Sequence, residues 1–106
     1  MRVKFIEARF FTSCITKLMS DDEYLALQEL LIQNPRAGEV IPGSGSLRKI
    51  RWRVRGRGKR GGIRVIYYCW SKEVLGMLYA YDKAAQSDLT PGQLKLLRAS
   101  LGEGVT

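Results

Sequence analysis

The sequence predicts an α+β domain: an antiparallel sheet built from an N-terminal strand and a three-strand meander, two helices from the N-terminal half packed on one side, and a C-terminal helix. Three observations lead there. Two helix start signals stand at Ser20 and Thr90. The stretch LRKIRWRVRGRGKRGGIRVIYYCW, Leu47 to Trp70, reads as a strand, a glycine-rich turn and a second strand. An apolar and aromatic run, Val74 to Tyr81, follows after only Ser71-Lys72-Glu73. Strands joined by such short turns pair antiparallel.

Residues 2–7, RVKFIE, set Val3 and Phe5 against Arg2 and Lys4 and suggest the first strand, which is expected to join the same sheet. Thr12 to Met19 is weakly helical through Ile15, Leu18 and Met19. Ser20 with Glu23 three residues on is a capping box, and the acids Asp21, Asp22 and Glu23 suit the positive end of a helix dipole. That helix is expected to run to about Gln33 with Tyr24, Leu27, Leu30, Leu31 and Leu25 supplying an apolar face, and it ends at Asn34-Pro35, because the residue before proline is pushed out of the helical region. Arg36 to Ser46 reads as a loop, with Gly43-Ser44-Gly45-Ser46 as a flexible spacer; the Gly-Lys-Ser/Thr of a phosphate loop is missing. Thr90-Pro91-Gly92-Gln93 opens the last helix, Leu94, Leu97 and Leu101 share its apolar face, and Gly102 and Gly104 stop it. The helices are expected to cover one face of the sheet.

A chain of 106 residues with 45% hydrophobic content is expected to fold as one domain, residues 1–106. No apolar run is long enough to span a bilayer, and the N-terminal MRVKFIEARFF lacks a secretory pattern, so a cytoplasmic protein is expected. Cys14 and Cys69 have no close pairing motif and read as core thiols, although a disulfide between them stays open.

The net charge is +8, from 18 basic and 10 acidic residues, and favours an anionic partner. Half of the cations fall in the Leu47–Trp70 stretch: Arg48, Lys49, Arg51, Arg53, Arg55, Arg57, Lys59, Arg60 and Arg64. No acid interrupts them between Glu39 and Glu73. Lys49, Arg51, Arg53 and Arg55 occupy odd positions and Ile50, Trp52 and Val54 even ones, so a strand here puts cations on one face and apolar side chains on the other. Arg64 lies inside an apolar strand and is expected to be buried.

Three function classes fit this pattern. RNA cleavage by transesterification needs positive charge at the phosphorane, which Arg and Lys supply, and a Lys crowded by cations, such as Lys49 beside Arg51 and Arg64, is tuned toward proton transfer. Nucleic-acid binding without cleavage needs phosphate contacts and stacking aromatics, for which Trp52, Tyr67, Tyr68, Trp70, Tyr79 and Tyr81 are nearby, although Trp52 and its side of the sheet are expected to be core. A protein-interaction module would dock an acidic partner on the same face. From charge alone, phosphate contact without catalysis is favoured over cleavage. The absence of histidine, with only two distant cysteines, argues against a metal site, and no cofactor fingerprint is present.

Three segments, SDDEYLALQELLIQNPRAGEVIPGSGSLRKIRW, GKRGGIRVIYY and LYAYDKAAQSDLTPGQLKLLR, together resemble the RelE/ParE superfamily of toxins from bacterial type II toxin–antitoxin modules, most closely its HigB-type, RelE-related branch. The resemblance implies a ribosome-dependent endoribonuclease that cleaves mRNA in the A site and halts translation. It implies as partners mRNA, the 70S ribosome and a cognate antitoxin with a helix-turn-helix domain, with operator DNA reached only through the antitoxin complex, and no membrane. It implies Lys49, Arg51, Arg64 and Lys83 as the catalytic set, with Arg64 stabilising the transition-state phosphate. Arg48, Arg53, Arg55, Arg57, Lys59, Arg60 and Tyr81 would bind substrate. The tyrosine that RelE carries near its C-terminus has no match in Ala84–Leu89, so the general base stays open among Tyr79, Tyr81, Asp82 and Asp88. A ParE-like gyrase inhibitor and a basic RNA- or protein-binding module are the alternatives.

Overall fold

The computed structural model describes residues 2–53 and 62–102. In chain order the elements are β1 (Lys4–Glu7), α1 (Arg9–Leu18), α2 (Asp21–Gln33), β2 (Glu39–Val40), β3 (Arg48–Trp52), β4 (Ile63–Ser71), β5 (Val74–Asp82) and α3 (Pro91–Gly102). They form an α+β fold around a five-stranded sheet of order β1-β5-β4-β3-β2.

The meander is antiparallel, as its short connections require. β1 is not: it runs parallel to β5, with Phe5 beside Leu75 and Glu7 beside Met77. The sheet is therefore mixed, which corrects the antiparallel sheet expected from sequence. The path explains the hand of the pairing. The chain leaves β1 at one edge and re-enters as β2 at the other, with α1 and α2 between. Three reversals then carry the meander back, so β5 arrives beside β1 in the same direction.

α1 starts earlier than its apolar stripe suggests. The Ala8 N–H donates to Met77 O, so the chain turns from sheet ladder into helix with no side-chain cap. At α2, Ser20 Oγ accepts from the Glu23 N–H at 3.2 Å, as the capping box predicts. The Glu23 carboxylate accepts from Trp52 Nε1 at 3.1 Å, which ties α2 to β3. The box at α3 closes in both directions: Thr90 Oγ1 accepts from the Gln93 N–H, and Gln93 Oε1 accepts from the Thr90 N–H.

Both faces of the sheet are covered, another departure from the expectation of helices on one face. Phe11 and Ile15 of α1 and Leu27 and Leu31 of α2 pack with Ile50, Val65, Tyr67, Leu75 and Met77. On the opposite face Leu97 of α3 packs with Leu47, Ile66, Leu78 and Tyr81. Each fully buried aliphatic side chain contributes roughly 1.5–3 kcal/mol. β4 is covered on both sides, so five consecutive residues, Ile63 to Tyr67, are buried.

The loop between α2 and β3 is packed, and the expected spacer is a tight turn. Ser44 is buried, and its Oγ bonds Ile41 O and Leu47 O and accepts from the Leu47 N–H. The flanking Gly43 and Gly45 have φ of 73° and 72°, which a glycine adopts without strain. Tyr67 Oη accepts from the Gly38 N–H and donates to Pro35 O, both at 2.8 Å. Cys14 and Cys69 are free thiols. No helix among the described residues is long and apolar enough to cross a membrane.

Candidate functional site

The alternation in β3 sorts its side chains as the sequence predicts. Ile50 is buried and Trp52 packs against the α1–α2 core, while Lys49 and Arg51 belong to the other face, toward α3. Register then fixes their neighbours. Arg51 lies opposite Arg64 of β4, and Arg64 lies opposite Tyr81 of β5. One row across three strands therefore reads Arg51, Arg64, Tyr81. Arg64 is 6% exposed, matching the burial expected from its apolar surroundings. Two cations directly opposed across a ladder work against strand pairing.

Lys83 follows β5, and its N–H donates to Gly62 O at 3.1 Å. Lys49, Arg51, Arg64 and Lys83 together line a cleft of about 540 Å³, with Ala37, Glu39 and Ile50 also on its wall among the described residues. Four residues from three stretches of chain, grouped by family resemblance, thus share one cavity.

The other residues of the expected set fall elsewhere. Arg48 sits at an even position, and its Nη1 donates to Gly38 O at 2.7 Å and to Arg36 O at 3.4 Å, so it braces the α2–β3 loop. Arg53 is exposed just beyond β3. Arg55, Arg57, Lys59 and Arg60, with most of the Gly56–Gly62 turn, lie outside the described residues. Tyr81 is 5% exposed and part of the α3-side core.

Two electrostatic details narrow the chemistry. Burial raises the Tyr81 pKa, the nearby Asp88 carboxylate raises it further, and Arg64 partly opposes both. Tyr81 therefore stays protonated, a hydrogen-bond donor and not a base. Its hydroxyl is buried and makes no close hydrogen bond among the described residues, and Asp88 acts on it as an acceptor, by charge and by hydrogen bonding. Asp88 has its own pKa lowered, first by the Leu89 N–H that donates to its Oδ1 at 2.8 Å, then by Lys49 and Lys83. A carboxylate held in its charged form is a weak proton acceptor. Of the remaining candidates for the base, Tyr79 accepts from Gln93 Nε2 at 3.4 Å and Asp82 Oδ1 accepts from the Ala84 N–H at 2.9 Å.

Asp88 also forms an ion pair with Lys49, Nζ to Oδ1 3.4 Å. Nothing in the local sequence joins residues so far apart; only the fold of the Ala84–Leu89 connection over the sheet does so. Ala37 and Glu39 likewise reach the cleft wall only through the pairing of β2 with β3. Among the described residues no group of three His, Cys, Asp or Glu side chains could hold a metal ion. No protein-family model matches the chain.

Proposed function

We propose that this protein is a RelE-like, HigB-type toxin of a type II toxin–antitoxin module, a ribosome-dependent endoribonuclease that cleaves mRNA in the A site in the cytoplasm. One observation carries the reading: Lys49, Arg51, Arg64 and Lys83 line a single cleft, with two of them facing each other across the ladder. Like charges held together in a fold gain most when an anion enters between them. The size of the cleft suits a nucleotide segment, and its mostly cationic wall suits phosphate.

The chemistry follows from the residues. The ribose 2′-oxygen attacks phosphorus as its proton passes to water, the P–O5′ bond breaks, and O5′ takes up a proton from the Lys83 ammonium, which water restores. The products are a 2′,3′-cyclic phosphate and a 5′-hydroxyl. Arg64, fixed by burial at the centre of the sheet, stabilises the added charge on the phosphorane. Lys49 and Arg51 hold the flanking phosphates. Lys83 approaches from the end of β5, where a basic residue can meet the leaving oxygen. Tyr81 continues the Arg51–Arg64 row onto β5. An antitoxin that covers this face would silence all four cations at once.

The test is induction in a bacterial host, with pulse labelling of protein and DNA synthesis and mapping of mRNA ends. Protein synthesis is expected to stop first, with new ends inside coding regions. Arg64→Ala, shown to be folded by circular dichroism, should lose about 100-fold or more of the cleavage rate. Full toxicity of that folded variant would sink the reading, as would loss of DNA supercoiling with translation intact.

A further inference from the structure

One cation of the cleft already has an anionic partner. Asp88 projects from the connection before α3 and is 70% exposed, yet its Oδ1 lies 3.4 Å from Lys49 Nζ. The Leu89 N–H steadies the same oxygen, and Lys83 is close enough to favour its charged form. Asp88 also acts on a second polar group. The Tyr81 hydroxyl is buried and has no hydrogen-bond partner among the described residues. Such a group is costly to leave unsatisfied. Asp88 therefore has two partners within reach: the Lys49 ammonium, with which it pairs, and the Tyr81 hydroxyl, on which it acts without a close hydrogen bond.

We propose that Asp88 acts as an internal substitute for the substrate phosphate, holding Lys49 in the free protein and yielding it to an entering phosphodiester while turning onto the Tyr81 hydroxyl. This rests on the reading that the cleft takes nucleic-acid phosphates. The carboxylate engages Lys49 alone, whereas a phosphodiester chain also engages Arg51, Arg64 and Lys83. The exchange therefore favours a polyanion over a single small anion. It also keeps the cation cluster partly neutralised when no substrate is present.

The experiment measures binding of a short single-stranded DNA oligomer, which lacks the 2′-hydroxyl and is not cleaved, to the full chain by fluorescence anisotropy. Asp88→Asn removes the charge and keeps an oxygen for the Leu89 N–H. It should tighten binding about two- to fivefold at low salt, since exposed ion pairs are weak and screened. The gain should vanish in a Lys49→Gln background. Tyr81→Phe should weaken binding in the wild-type background and leave Asp88→Asn unchanged. No tightening by Asp88→Asn overturns the proposal, and so does equal tightening with and without Lys49, which would make Asp88 a diffuse repulsive charge. A Tyr81→Phe protein that binds as wild type removes the second partner. Arg51→Gln and Lys83→Gln test the underlying reading separately: if neither weakens binding, the oligomer does not use the cleft and the reading itself falls.

Discussion

Arg51 and Arg64 face each other across β3 and β4, a pair of like charges in directly opposed register. Arg64 is buried and Arg51 is exposed, so the pair has one fixed member and one free to meet solvent or ligand. Cross-strand pairs of this kind oppose sheet formation. On the proposed reading, stability is given up where the phosphate is to bind.

Replacing the exposed member tests that trade. Arg51→Thr relieves the repulsion and adds a residue suited to strands. It should stabilise the free protein by about 0.5 kcal/mol at low ionic strength, with the gain shrinking as salt screens the charges. Urea unfolding at two salt concentrations checks this. On the proposed reading the same variant loses cleavage activity, so stability and activity should move in opposite directions.

A second prediction concerns the cleft wall. Tyr67 Oη holds the α2–β3 loop by accepting from Gly38 and donating to Pro35. A Cβ at residue 38 would lie 2.8 Å from Tyr67 Cε1, so the loop backbone rests directly on the ring. Tyr67→Phe leaves a buried N–H and a carbonyl without that partner and should cost about 1–3 kcal/mol in urea unfolding. Amide exchange at Gly38 should accelerate, because its donor no longer has an acceptor.

The middle of β5 offers a packing test. Gly76 lies under the Trp70 ring, and a Cβ there would overlap the six-membered ring. Trp70 is 40% exposed and can swing outward, which limits the penalty. Gly76→Ala should destabilise by about 1–2 kcal/mol and shift tryptophan emission toward that of a solvated ring. Combining it with Trp70→Ala should give less than the sum of the two losses, since the overlap disappears.

Alkaline titration should separate the tyrosines. Tyr24, Tyr67 and Tyr81 all have pKa values raised above the ordinary value near 10.0, and burial is the first cause in each. For Tyr24 the Glu7 carboxylate, accepting from its hydroxyl at 2.6 Å, adds to the effect. A phenol whose folded pKa is raised contributes stability that is complete below its unfolded pKa and is lost as pH rises toward the folded one. Stability should therefore fall steadily above pH 10.0. Phenolate absorbance from these three should appear together with unfolding and not before it. Gradual ionisation of all the tyrosines in a folded protein would contradict this.

The sequence was most legible where the chemistry is local. The caps at Ser20 and Thr90 depend on residues three apart, and both form. The alternation of Lys49 and Arg51 with Ile50 and Trp52 follows from strand geometry alone, and the two faces come out as expected. What remained hidden depends on distant partners. β1 was recognisable as a strand, but its four residues carry no mark of which edge they join or in which direction. Leu94 and Leu97 announce an apolar helix face without saying which side of the sheet it covers. Gly43-Ser44-Gly45 has the composition of a flexible linker and of a tight turn alike, and only the burial of Ser44 decides. In the site, the cations stood out because they cluster in sequence. Asp88 was visible only as one candidate base, because its contact with Lys49 exists in space and not along the chain.

The parallel seat of β1 beside β5 has a consequence for the order in which the molecule is made. Lys4 and Phe5 find their ladder partners at Val74 and Leu75, so the first strand synthesised has no neighbour until most of the chain exists. A growing chain can form α1 and α2 early from nearby contacts, yet the sheet edge they lean on closes late. Lys83, the last cation of the cleft, arrives later still. A message broken off before the codon for Val74 would thus yield a product with neither a closed sheet nor a complete cleft.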